Sequence, residues 1–239
     1  MKIIEDKYNG ITIAHDTLYP PKDQFKKKIE SIIQTYTKKN LLWVKLPIER
    51  SELIPLLVSM DFEFHHCNER DITLLRKLTN NPIIPTSKNH TLGVGAVVRD
   101  KNKVLVIKDR FAKGYKLPGG HIDPNESITT ALAREVYEET GIKISFESIT
   151  NLGHFTRSQF GESNLYIVCT AKALSKEINI IDKEEIMEAK WIDIDEFVTL
   201  EDTNNYNKKI IDTVLKNDEP KLTHHELKLN VQSPYELFF

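Results

Sequence analysis

The chain has 239 residues, 40% hydrophobic and 28% charged, with a formal net charge of −2. That suits a globular protein of one large domain or two small ones and argues against a strong field for nucleic acid or membrane. No apolar run approaches the roughly 18 residues needed to cross a bilayer and the N-terminus has no signal-like apolar region, so a cytoplasmic protein is expected.

Residues 8–13 form a short strand candidate around the turn at Asn9-Gly10. From 22 to 38, apolar residues recur at Phe25, Ile29, Ile32, Ile33 and Tyr36, a helical period. The lysine runs 26–28 and 38–39 read as a solvated helix face. Residues 41–46 (LLWVKL) predict a strand, and residues 51–60 a helix with Pro55 near its start. Residues 62–65 and 71–76 predict two more strands. The adjacent pair His65-His66 would point to opposite faces of its strand and so reads as structural. The order makes a small α/β layer. Cys67 and Cys169 lie in apolar company and read as buried thiols. Asn80-Asn81-Pro82, Pro85 and the polar run 86–89 form a connector, placing a first domain at 1–82 and a second at 89–239.

The second domain opens with strands at 91–98 and 103–108 joined by a polar turn, a hairpin. Gly93 and Gly95 lie in the first of these, without the rest of a nucleotide-loop fingerprint, and indicate close backbone packing. After Leu117-Pro118-Gly119-Gly120, a turn, residues 124–127 read as a helix start and Gly141 as its C-terminal stop. Strands are expected at 145–152 and 164–173, with a polar and aromatic loop, 154–162, between them. Residues 184–190 are acidic, 191–193 extended, and helices follow at 195–200 and 207–215. The tail, 219–239, is weakly patterned.

The chemistry concentrates in GHIDPNESITTALAREVYEETGI, residues 120–142. On a helix Glu135, Glu138 and Glu139 fall within roughly 100° of arc, beside the apolar stripe of Ile128, Leu132 and Val136. Carboxylates gathered at the edge of a core repel one another unless a cation sits among them. An all-oxygen site for Mg²⁺ or Mn²⁺ is the reading that removes the conflict. Arg134 lies beside Glu138 on the wheel and can orient a carboxylate.

At these residues the sequence resembles the Nudix hydrolases, whose signature is G-x5-E-x7-R-E-U-x-E-E-x-G-U with U aliphatic. Gly120, Glu126, Arg134, Glu135, Val136, Glu138, Glu139, Gly141 and Ile142 match every specified position. The region WVKLPIERSELIPLLVSMDFEFHH further resembles the pre-Nudix domain of a subgroup that includes plant ADP-ribose/NADH pyrophosphatases and the animal fibroblast-growth-factor-antisense Nudix protein. The resemblance implies a C-terminal Nudix α/β/α sandwich with a mixed sheet, preceded by a small α/β domain similar to part of an acetyltransferase (GNAT) fold. No Gly-rich coenzyme A loop occurs between residues 1 and 80, so that half is expected to support dimerisation or cover the active site rather than acetylate.

The resemblance also implies an activity: metal-dependent hydrolysis of the diphosphate in a nucleoside diphosphate derivative, with ADP-ribose or NADH favoured by the subgroup. Glu135, Glu138, Glu139 and the Gly119 carbonyl would hold Mg²⁺ or Mn²⁺, Arg134 would orient a carboxylate, and Gly120 and Glu126 would support the loop. The general base is left open between the helix glutamates and a later carboxylate, with Glu184, Glu185 and Glu188 as candidates. Phe111, Tyr115, Phe155 and Phe160 are candidate base platforms. Arg110 and Arg157 are candidate phosphate or ribose partners. The alternatives are an mRNA-decapping or dinucleoside polyphosphate hydrolase, or a nucleotide-binding regulator without turnover. The expected partner is a small-molecule nucleotide, with no membrane or nucleic-acid signal and the N-terminal domain a candidate homodimer surface.

Overall fold

The computed structural model describes residues 2–14, 19–156, 162–216, 222–224, 226 and 238. The chain divides into two compact units, residues 1–89 and 90–239, each with its own core. No helix among the described residues is long and apolar enough to cross a membrane.

The first unit holds β1 (Ile3–Glu5), β2 (Gly10–Ile13), α1 (Lys22–Thr35), β3 (Leu41–Pro47), α2 (Ile54–Val58), β4 (Glu63–Cys67) and β5 (Asp71–Lys77). Its five strands run in the order β1-β2-β3-β5-β4. β1, which the sequence pattern did not suggest, is only three residues long. The turn after it is tied by the Asp6 carboxylate, which accepts from the amides of Tyr8 and Gly10. β2 and β3 are parallel, joined through α1. Phe25 and Ile29 of α1 are fully buried against Ile11, Val44 and Leu46, each worth about 1.5–3 kcal/mol of apolar burial. The helix expected over 51–60 begins as a 3₁₀ turn, Ile48–Leu53, and becomes α-helical with Pro55 in the first turn of α2. There its missing N–H costs no hydrogen bond.

Two expectations in β4 are corrected. A register shift between Phe64 and His66 breaks the alternation, so His65 and His66 do not diverge. Their Nδ1 atoms meet at 2.7 Å. The other nitrogen of His65 lies 2.8 Å from the Pro85 carbonyl oxygen, and its ring stands edge-on to Trp43. Cys67 is exposed because it ends an edge strand, whereas Cys169 is buried in the second unit.

The second unit holds β6 (His90–Asp100), β7 (Lys103–Asp109), β8 (Gly119–His121), α3 (Ile128–Thr140), β9 (Ile144–Phe155), β10 (Ser163–Ala173), β11 (Ile186–Asp193), α4 (Ile194–Thr199) and α5 (Asn205–Lys216). The sheet order is β11-β7-β6-β10-β9, with β8 on β6. β6 and β10 are parallel and the other pairs antiparallel, so the sheet is mixed. One face packs Val94, Ala96 and Val98 against Ala131, Leu132 and Val136 of α3. The other packs Val97, Val104 and Val168 against Phe197 of α4 and Ile210, Ile211 and Val214 of α5. This is the α/β/α sandwich expected.

The hairpin of β6 and β7 is paired only beside its turn, at Arg99↔Val104 and Asp100↔Lys103. Farther along, residues 116–121 lie between the two strands. Lys116 bridges to Ile107 of β7, and Gly119, Gly120 and His121 pair with Gly95, Val94 and Gly93 of β6. The segment read as a turn is therefore a wedge in a forked sheet. β9 runs on through His154 and Phe155, and β11 takes in most of the acidic stretch. In both cases cross-strand partners decide the element where local composition does not.

Candidate active site

α3 sets the site. Ser127 caps its start, accepting from the Thr130 amide, and Gly141 ends it in the left-handed region at φ 73°. The helix buries Leu132, Val136 and Glu139, at helical spacing, on one stripe. A carboxylate is thus carried into the core side of the helix. Glu139 is 5% exposed, and its Oε2 accepts from the Gly119 amide at 2.7 Å. The wedge between β6 and β7 is what brings that amide to it.

Arg134 gathers the other carboxylates. Its Nε and Nη2 form a fork on Glu126 at 2.9 and 2.8 Å, Nη1 donates to Glu135 at 2.9 Å and Glu138 at 3.0 Å, and Nη2 also reaches the His121 carbonyl. The fork on Glu126, followed by Glu135 and Glu138, holds the guanidinium firmly protonated. The same fork keeps the Glu126 carboxyl below its ordinary range. Gly120 lies directly under Glu135: a β-carbon there would stand 2.6 Å from Oε2.

Burial drives the electrostatics of the remaining pair. It pushes Glu139 up to about 8, against the pull of the Gly119 amide and Lys116, with the charges of Glu135 and Glu185 adding to the rise. Burial likewise raises Glu135, opposed by Arg134 and assisted by Glu138 and Glu185. Among the described residues no three His, Cys, Asp or Glu side chains converge on one point. The expected trio is thus not a closed cluster, because Glu138 turns to Arg134 and keeps a side chain 45% exposed. Glu135 and Glu139 nonetheless form a partly buried carboxyl pair, all oxygen in its donors: the charge of Glu135 raises Glu139, and that of Glu185 raises both. That donor set fits a hard divalent cation.

The remaining candidates scatter. Glu185 is close enough for its charge to act on both Glu135 and Glu139. Arg110 is spent on the loop before β11: its guanidinium donates to the Lys183 carbonyl and its amide to the Glu185 carbonyl. Glu188 accepts from the Tyr115 hydroxyl at 2.8 Å, and Lys190 sits 4.1 Å from the centroid of that ring. Phe111 is 83% exposed. Phe155 stands edge-on to Tyr206. Arg157 and Phe160 lie outside the described residues. Sequence reasoning missed Lys116, which pairs with Asp109 at 2.7 Å and lowers Glu139, because one lysine in a loop carries no periodic signal.

Comparison with known proteins agrees with this geometry. The NUDIX domain family matches residues 89–214 and the Nudix hydrolase domain family residues 1–78. Nudix hydrolase 8 of Arabidopsis thaliana is 31% identical over 98% of this chain, which spans 64% of that protein's length. Nucleoside diphosphate-linked moiety X motif 6 of Homo sapiens is 32% identical over 86% of this chain and 69% of its own, and its Xenopus laevis counterpart 35% identical over 70% and 79%. A forked mixed sheet between helix layers, with the signature helix at the fork, defines the class. The chain belongs to the Nudix hydrolase family.

Proposed function

We propose that the protein is a Mg²⁺- or Mn²⁺-dependent hydrolase that cleaves the diphosphate linkage of a nucleoside diphosphate derivative, with ADP-ribose or NADH the favoured substrate. One observation carries this reading: Glu139 is buried at the sheet fork on the Gly119 amide, one helical turn from Glu135, which Arg134 holds together with Glu126 and Glu138. Glu135, Glu138, Glu139 and the Gly119 carbonyl would hold the ion. When bound, the ion neutralises phosphate charge and makes water a better nucleophile. Arg134 fixes Glu126, Glu135 and Glu138 relative to one another, so carboxylates are placed before substrate arrives. Glu185 is the proposed general base, since its charge reaches both Glu135 and Glu139 while Glu188 is tied to Tyr115. The subgroup resemblance and the similarity to moiety X motif 6 support the substrate class.

The test is product release, with each metal, from ADP-ribose, NADH, dinucleoside polyphosphates, nucleoside triphosphates and capped RNA. Wild type should cleave ADP-ribose or NADH best, and Glu139→Gln should lose about a thousandfold in kcat. Equal, near-zero rates for both proteins on every compound would leave a binding protein as the surviving reading.

A further inference from the structure

Gly93 and Gly95 share the face of β6 opposite α3, where neighbouring strands carry side chains. The parallel register sets Tyr166 of β10 beside Gly93. Its ring fills the room the glycines leave: a β-carbon on Gly93 would stand 2.6 Å from Cδ2, and one on Gly95 would collide with the hydroxyl. The ring therefore lies along β6 from 93 toward 95. Its hydroxyl ends over the residue that pairs with Gly119, whose amide holds Glu139.

Among the described residues that hydroxyl makes no hydrogen bond to the protein, on a side chain that is only partly buried. A ring needed only for packing would do as well without it. Phenylalanine has nearly the same volume, and a phenol brought into a half-buried site with no partner is a net cost.

We propose that Tyr166 is a substrate-contacting residue whose hydroxyl donates a hydrogen bond to a non-bridging oxygen of the bound diphosphate. The inference rests on the hydrolase reading above and adds a residue that lies outside the signature. Burial, then the charges of Glu139, Tyr206 and Glu135, hold the phenol well above its ordinary range, so it serves as a donor and not as a base. The two glycines serve the same end, because a side chain at either position would push the ring off its line.

Tyr166→Phe in the full chain tests it, assayed with ADP-ribose and Mg²⁺. We expect kcat/KM to fall about 10- to 100-fold, mostly through KM, the span for a hydrogen bond to a charged group. The unfolding midpoint should hold or rise, and the shape of the pH–rate profile should be unchanged. A folded variant whose kcat/KM stays within about twofold of wild type would overturn the proposal, while a wild type inert on ADP-ribose counts against the hydrolase reading instead. As a second measurement, 3-fluorotyrosine at position 166 keeps the hydroxyl. Its ¹⁹F resonance should shift on adding a methylene-bridged, uncleavable ADP-ribose analogue with Mg²⁺, and no shift at saturating analogue would also overturn it.

Discussion

Glu139 shows how one side chain links folding to chemistry. Its carboxyl is raised in the folded state to about 8, while in the unfolded chain it titrates near 4.3. The folded state therefore binds the extra proton between those values, and the contribution is present below the lower one and lost as pH rises through the upper. Without divalent ions, stability should fall from about pH 5 to pH 8, by at most about 1.4 kcal/mol per pH unit. Urea melts across that range would show it. Glu139→Gln should flatten this part of the slope, and Mg²⁺ should restore stability at pH 8 in wild type alone. An unchanged slope in the variant would mean that another group carries the titration. The trio of glutamates was legible in the sequence because a helix of known phase fixes which residues share a face. Their division of labour was not. That Glu138 and Glu135 lean on Arg134 while Glu139 leans on a backbone amide depends on the wedge at residues 116–121, which only the sheet pairing reveals.

At the scale of elements, α3 is held at both ends, and its phase is what aims Glu139 inward. At Gly141 the backbone is left-handed, and a β-carbon would collide with the Asn179 carbonyl. Gly141→Ala should cost about 1–3 kcal/mol, more than the usual penalty for a non-glycine residue there, because steric conflict adds to backbone strain. Thermal melts of the metal-free protein would measure it. A loss below about 0.5 kcal/mol would show that the following loop gives way freely. Most elements were readable from hydrophobic period and turn residues: α1, β3, β5, α3 and β10 fall near their expected limits. β1 and β8 escaped because three-residue strands have no period to detect. β11 was read only at its end, 191–193, because Glu188 and Lys190 sit on an edge strand, where polar residues are tolerated and the pairing with β7 decides the structure.

For the molecule as a whole, each unit has an apolar core of its own. The first centres on Phe25, Leu42 and Leu74, the second on the two faces of one sheet. Residues 90–239 expressed alone should unfold in a single cooperative transition in urea. A broad, non-cooperative melt would mean that the second unit depends on the first. The connector is less free than its polar, proline-bearing composition suggests. Ile84 packs on Leu41, Trp43 and Leu75, and the Pro85 carbonyl meets His65. A truncation after Pro82 would therefore bare an indole and two leucines that the native chain roofs over, turning a monodisperse fragment into one prone to self-association. Ending the same fragment after Asn89 keeps that roof in place.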